Sequence, residues 1–503
     1  MKDYKKLQNG SDIRGIVLPT EDEQVNLDKN IAKDLAKAFV LWLSQKTEKD
    51  IPDLHIAIGH DSRITADMLT EASVDAMTEI GVKVSYTGLS STPAMFMSCI
   101  FPEFSCDGSI MITASHLPFN RNGFKYFTKE GGLNKQDISE IIALAEKESF
   151  DEIPLFKGNP EDNWHNNDLM YAYASHLRNL IMTQVMADDY IHPLRGLKIM
   201  VDAGNGAGGF YAEKVLKPLG ADISSSQYLE PDGNFPNHVP NPEDKLAMKM
   251  ASDQLIKCGA DFGLVFDTDV DRVAAIDKSG KTIARNGIVA IAAALIAVEH
   301  PGTTVVTDSI TSDELKDYLE NCLGLKHLRF KRGYRNVINK SIELNENGTD
   351  SQLAIETSGH GAYKENYFLD DGAYLATKIV IKAAQLAKQG QGIDCLIAPL
   401  KEPADAMEKR YPISCQDFSA LGDKVLLEIK DWAQGIDGAE LCEPNYEGVR
   451  INFNRDSLKG WCLLRKSLHD PILALNVECS VGSCQDILAL IDGFLQRYGD
   501  IQV

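Results

Sequence analysis

Three times along the chain a short apolar run leads into a helical pattern, and this rhythm limits the fold more than any other feature. The first start is an apolar run at residues 55–59, a helical pattern at 65–80, Gly81 and a second run at 82–86. The rhythm restarts with a run at 197–202, a helical pattern at 212–219 stopped by Gly220, and a run at 261–266. A third start is the run at 303–307, with a helix around 312–322. Glycine at a helix stop with an apolar run next is the βαβ signature of a mostly parallel sheet. A further helical pattern covers 26–44. From about residue 403 strand signals dominate, and a helix at 483–498 closes the chain. The reading is an α/β fold of three tandem, similar α/β domains plus a smaller C-terminal α+β domain. Proline breaks near Pro193, Pro301 and Pro403 place the domains at 1–192, 193–301, 302–402 and 403–503.

Charge narrows the function classes. A net charge of −22 repels nucleic acid and anionic membranes, so neither is expected as a partner. An anionic ligand would need basic residues concentrated at one place. The longest apolar run, 287–298, is short of the roughly 20 residues a bilayer span needs. The first residues, MKDYKKLQNGSDIRG, lack the apolar core of a secretory signal. Ten cysteines are scattered without a CxxC pair, which reads as thiols in a reducing compartment. A cytoplasmic protein is expected, or a plastid stromal one if a transit peptide has been removed.

The motif FDTDVDR, residues 266–272, places Asp267, Asp269 and Asp271 directly after an apolar strand. Alternate side chains on an extended segment share a face, so the three carboxylates can converge. Like charges so close call for a hard cation, Mg²⁺ or Ca²⁺. An EF-hand is excluded, because Arg272 stands where the loop glycine belongs and Lys278 where the bidentate glutamate belongs. A solvated acidic loop is the alternative.

The segment MITASHLPFNRNGFKYF, residues 111–127, gathers Ser115, His116 and Lys125 on a strand-loop-strand pattern with an Asn-Gly turn at Asn122-Gly123. A serine hydroxyl can accept a phosphoryl group and hand it on. His116 can hydrogen-bond the seryl oxygen, and Lys125 offers a cation or a proton. Plain turn chemistry is the bland reading. No G-x-S-x-G elbow points to an acyl hydrolase.

Two glycine loops and one basic loop complete the set. VDAGNGAGG, residues 201–209, matches the dinucleotide pattern G-x-G-x-x-G after a strand, with Glu230 downstream. The same glycines also suit a tight strand-to-helix turn. AIETSGHG, residues 354–361, places Glu356, Ser358 and His360 where they could bond vicinal sugar hydroxyls. LRKSLHDP, residues 464–471, gathers Arg465, Ser467 and His469, a set that can hold a phosphate or lie solvated.

Taken with SDIRG at 11–15, carrying Arg14, and GHDSR at 59–63, these motifs resemble in identity and order the α-D-phosphohexomutases, the phosphoglucomutase and phosphomannomutase superfamily. The resemblance covers essentially the whole chain, including Asp370-Asp371-Gly372 after the sugar loop. It implies three similar α/β domains and a fourth, TBP-like one around a central cleft. They would carry, in order, the phosphoserine loop, the metal loop, the sugar-binding loop and the phosphate-binding loop. It further implies transfer of a phosphoryl group between O1 and O6 of a hexose phosphate, glucose or mannose, through phosphoserine at Ser115 and a hexose 1,6-bisphosphate. Mg²⁺ would be held by Ser115, Asp267, Asp269 and Asp271. Lys125 would carry a proton, with His116, Arg14 and Arg272 in support. Substrate would be bound by Lys331, Arg332, Gly333, Tyr334, Glu356, Ser358, His360, Arg465, Ser467 and His469. The partners are small sugar phosphates, and a monomer or homodimer is expected.

Two departures bear on substrate. The last-domain loop usually reads R-x-S-G-T-E-P-x-x-R. Here only Arg465, Ser467 and Pro471 persist. Tyr334 stands where many bacterial relatives carry histidine. An amino-sugar phosphate mutase and a sugar-bisphosphate synthase are therefore alternatives within the family. Outside it stand a dinucleotide-binding oxidoreductase built on Gly204–Gly209 and a non-catalytic sugar-phosphate binder.

Overall fold

Local chemistry sets the limits of the elements. In the computed structural model, which describes residues 3–147, 150, 153–467 and 470–503, the first long helix is Lys29–Thr47. It starts later than its apolar pattern because the Asp28 carboxylate accepts the backbone N–H groups of Asn30 and Ile31, donors that a helix start leaves unmet. Its Leu35, Phe39 and Leu43 recur every four residues and are buried, as a core-facing stripe requires. The helix Ala66–Thr78 ends ahead of Gly81, whose φ of +90° favours glycine.

The chain divides into two units, one of Met1–Leu295 with Ser358–Leu396 and one of Ile296–Thr357 with Ile397–Val503. In the first, His55–His60 is a central strand, parallel to Gly108–Ile112 on one side and Lys83–Leu89 on the other. Beyond Gly108–Ile112 the direction reverses. Arg121–Thr128 runs antiparallel to it and to Asp12–Ile16. Asn122 and Gly123 therefore lie inside a strand, which corrects the Asn-Gly turn expected from sequence. Glycine is required at 123 because a Cβ there would run into the carbonyl oxygen of Ile13 on the neighbouring strand. Phe39, Leu43, Ile56, Ile58, Ile110, Phe124 and Ile141 form the core beside this sheet.

A second sheet in the same unit pairs Ile199–Asp202 in parallel with Phe262–Phe266, then Phe262–Phe266 antiparallel with Val273–Ile276. The helical pattern at 212–219 is irregular here, a wide π-type turn at Tyr211–Leu216 followed by a 3-10 turn at Lys217–Leu219. Pro218 lacks the amide donor a regular helix would need.

In the second unit Thr304–Thr307 lies parallel to Lys326–Arg329 and Leu353–Ile355. The C-terminal part is an antiparallel sheet in the order Asp405–Pro412, Ile472–Val481, Leu458–Lys466, Val449–Arg455, Ala439–Leu441. Two helices, Phe418–Gln434 and Cys484–Leu495, close over its core of Ile451, Phe453, Leu464, Leu475 and Val477. Phe418–Gln434 is a long helix within a stretch whose sequence reads mainly as strand. Among the described residues no helix is long and apolar enough to cross a membrane.

Candidate active site

The serine loop joins two antiparallel neighbours, Gly108–Ile112 and Arg121–Thr128. Ser115 is held at φ +51°, a left-handed conformation that a non-glycine residue seldom adopts and that costs about 1–3 kcal/mol. Its backbone N–H donates to Thr113 Oγ1 at 2.9 Å, and Thr113 donates to Asp61 Oδ2 at 2.7 Å. The seryl oxygen lies 3.2 Å from His116 Nδ1, 3.4 Å from Asp267 Oδ2 and 3.4 Å from Arg272 Nη2. Burial, then the charges of Arg272 and Arg14, push the His116 imidazole down to about 2. It is neutral beside the serine.

The acidic loop turns between Phe262–Phe266 and Val273–Ile276. Asp267, Asp269 and Asp271 are buried, and each offers an oxygen within 4.8 Å of the others. Two fixed cations answer them. Lys125 Nζ lies 3.1 Å from Asp269 Oδ2 and also bonds Asp271 Oδ2, while Arg272 Nε donates to Asp267 Oδ2 at 3.1 Å. Thr92 Oγ1 donates to Asp269 Oδ2 at 2.5 Å. Asp269 Oδ1 and Asp271 Oδ1 accept no hydrogen bond among the described residues. Buried carboxylate oxygens without a donor, in an all-oxygen set, fit a hard divalent cation. Burial and the Asp271 charge raise the Asp267 carboxyl well above the usual range. Burial works the same way on Asp271, but Lys125, His360 and Arg272 overcome it and hold that carboxyl low. His360 Nε2 stands 3.6 Å from Asp271 Oδ1 and 3.7 Å from Asp370 Oδ2, and its Nδ1 is 2.8 Å from Ser358 Oγ. Arg14 bonds Asp12 Oδ2 at 2.9 Å.

The glycine loop 204–209 serves the acidic loop. A Cβ on Gly206 would lie 2.6 Å from the carbonyl oxygen of Thr268 and 2.8 Å from its Cα. Ala207 N–H donates to that same carbonyl at 2.8 Å. Thr268 sits between Asp267 and Asp269, so this backbone-to-backbone seat fixes the spacing of two carboxylates. Glu230, the acid a dinucleotide motif would offer to ribose, contributes its backbone carbonyl to Asn205 Nδ2 at 2.8 Å. Gly206→Ala is expected to displace Thr268 and weaken divalent-metal binding by about tenfold, since a misplaced support costs that much at a metal site. A metal titration checks this, and an unchanged affinity contradicts it.

The second unit gathers the other candidates. Gly333, at φ +113°, donates its N–H to Glu356 Oε1 at 2.7 Å, and Tyr334 begins the helix Tyr334–Glu346. Lys331 is exposed beside them. Glu447 accepts the backbone N–H of Arg332 at 3.1 Å and also bonds Ser309 Oγ. Arg465 is half-buried, and its buried Nε finds no acceptor among the described residues. Burial, then the neighbouring charge of Arg332, lower its pKa. The Glu447 and Glu408 carboxylates offset part of that charge, and the surplus of positive charge suits an anion. Ser467 Oγ accepts the N–H of Asp470 at 3.2 Å. His469 lies outside the described residues.

Thus Ser115, His116, Lys125, Arg272, the three aspartates, Ser358 and His360 belong to the first unit, and Lys331–Tyr334, Glu356, Arg465 and Ser467 to the second. The sequence reading gave no role to Thr92. It lies in SSTP with no catalytic signal around it, and only the fold brings it to Asp269.

Comparison with known proteins fits this geometry. The models for phosphoglucomutase/phosphomannomutase α/β/α domains I, II and III match residues 5–152, 172–280 and 285–400. A phosphoglucomutase of Neisseria gonorrhoeae is 29% identical over 469 residues, covering 93% of this chain and 91% of its own. A phosphomannomutase/phosphoglucomutase of Pseudomonas putida is 28% identical over 89% of this chain and 86% of its own. The crystal structure of a phosphoglucomutase/phosphomannomutase family protein from Burkholderia thailandensis superposes with a TM-score of 0.76 at 24% identity, covering 97% of this chain and 95% of that one. The class defined is an isomerase that works by intramolecular phosphotransfer. The chain belongs to the phosphoglucomutase/phosphomannomutase family of α-D-phosphohexomutases. The oxidoreductase alternative has no support, because the space beside Gly206 is filled by Thr268.

Proposed function

We propose that this enzyme interconverts hexose 1-phosphate and hexose 6-phosphate, of glucose, mannose or both, through phosphoserine at Ser115 and a hexose 1,6-bisphosphate. The observation that carries this is the Ser115 oxygen, 3.4 Å from both Asp267 Oδ2 and Arg272 Nη2. Such a seat suits an oxygen that gains and loses a phosphoryl group. Mg²⁺, held by Asp267, Asp269 and Asp271 together with Ser115, would neutralise charge on the transferring group. Arg272 aims a guanidinium at the same oxygen. Neutral His116 orients the seryl oxygen, and Arg14 adds positive charge nearby. Lys125 is bound to two carboxylates and acts as electrostatic support and as a proton donor from its charged form. Glu356, Ser358 and His360 read sugar hydroxyls. Arg332 and Arg465, with Lys331, Gly333, Tyr334 and Ser467, take the phosphate that is not reacting. His469 is assigned to the same loop.

A coupled assay with glucose, mannose and glucosamine 1-phosphates tests the reading. Formation of a 6-phosphate from the glucose or mannose ester is expected, and no isomerisation of any of them overturns it. Arg465→Ala is expected to raise KM for the sugar phosphate about tenfold or more, because a hydrogen bond to a charged group is worth about 1.5–3 kcal/mol. Phosphorylation of Ser115 should be retained. An unchanged KM would move the phosphate to Lys331 or Arg332.

A further inference from the structure

We propose that Arg63 is a positioning residue that sets the reactive conformation of Ser115. The inference rests on the reading of Ser115 as the phosphoryl carrier. Arg63 has a fully enclosed side chain. Its Nη2 donates to the carbonyls of Ser115 at 2.5 Å and Leu117 at 2.6 Å. Its Nη1 donates to those of Pro118 at 2.8 Å and Arg121 at 2.9 Å. One guanidinium thus gathers four carbonyls of the serine loop. Its charge is balanced by Asp61, whose Oδ2 lies 3.3 Å from Nε.

Asp61 Oδ2 also accepts Thr113 Oγ1, which in turn accepts the N–H of Ser115. A single chain of contacts, Arg63 to Asp61 to Thr113, therefore grips Ser115 at both its carbonyl and its amide. A residue at φ +51° keeps that conformation only where its surroundings over-determine it. Released, Ser115 would relax to negative φ and carry its oxygen away from Asp267 and Arg272. Arginine is specific to this task. Its planar fork spans several acceptors at fixed angles, whereas a lysine ammonium is a single point. None of the four acceptors is a group of the substrate or the metal site, so Arg63 acts through Ser115.

The test is Arg63→Lys in the full-length enzyme, with four readouts. They are single-turnover transfer of phosphate from a hexose 1,6-bisphosphate to dephosphorylated Ser115, steady-state KM, Mn²⁺ binding at the acidic loop, and thermal unfolding. Transfer is expected to slow about a hundredfold, the cost of an ångström-scale misplacement. KM should be unchanged, and Mn²⁺ affinity should fall no further than in Ser115→Ala, which lacks the seryl oxygen altogether, whereas general loosening of the domain would lower both further. A folded R63K that transfers at the wild-type rate overturns the inference. Should R63K fail to fold, Arg63→Gln keeps a planar head with two donors but serves fewer of the four carbonyls. Transfer in R63Q should slow about a hundredfold, and a wild-type rate in the folded variant overturns the inference equally. A wild type that takes no phosphate onto Ser115 overturns the carrier reading and this inference with it. A phosphorylated wild type beside an equally fast R63K overturns the inference alone.

Discussion

Ser115→Ala is expected to abolish isomerisation, lowering kcat by about four orders of magnitude or more, as loss of a nucleophile does elsewhere. Intact mass of the wild type should show one added phosphate, and the variant none. Alanine is a clean deletion at this position. The bonds that hold the loop engage the backbone of residue 115, its N–H to Thr113 and its carbonyl to Arg63, and alanine keeps both. Like serine, alanine dislikes a positive φ, so the loop gains no new freedom. Glycine would gain it, since positive φ costs glycine little. The loss would therefore belong to the hydroxyl. His116, neutral and 3.2 Å from that hydroxyl, is a neighbouring group that could take a phosphoryl in its place, beside the Asp267 carboxylate at 3.4 Å. A variant with wild-type activity would refute the carrier assignment, and a phosphate found on His116 would show what replaced it.

Much of the fold is legible because it is local. The strand His55–His60 and the helix Ala66–Thr78 follow from short apolar runs and glycine stops. The acidic loop is legible because period-two carboxylates after a strand have few other uses. What escapes the sequence is set by partners distant along the chain. Asn122-Gly123 reads as a turn, yet the glycine is there to let the carbonyl of Ile13 approach. The G-x-G-x-x-G pattern reads as a ligand cradle, yet Thr268 of another loop fills it. Arg63 was visible only as part of a resemblance, since its four acceptors lie more than fifty residues away. The helix Phe418–Gln434 buries only Gly422, Val425, Ile429 and Ala433, a narrow stripe that the surrounding strand signals mask. No composition shift marks Thr357 and Ser358, where the chain passes between its two units.

Asp269→Asn is expected to raise the Mg²⁺ concentration for half-maximal activity by about tenfold or more and to lower the maximal rate, because a buried charge cluster loses one of its members. The geometry leaves the amide no good orientation. Asp269 Oδ2 accepts from both Lys125 and Thr92, and Oδ1 accepts from nothing among the described residues. If the amide oxygen takes the Oδ2 place, its NH₂ stands where a cation would bind. If the oxygen takes the other place, the NH₂ faces the Lys125 ammonium and competes with the Thr92 hydroxyl. Either way a donor opposes a positive charge among buried carboxylates. One negative charge is also gone, so Lys125 and Arg272 fully balance the two remaining carboxylates and a divalent cation is held less firmly. Chelated wild-type enzyme titrated with Mg²⁺ beside the variant makes the measurement. An unchanged midpoint in D269N would remove Asp269 from the metal site, and a chelated wild type that keeps its rate without added metal would remove the metal from the mechanism.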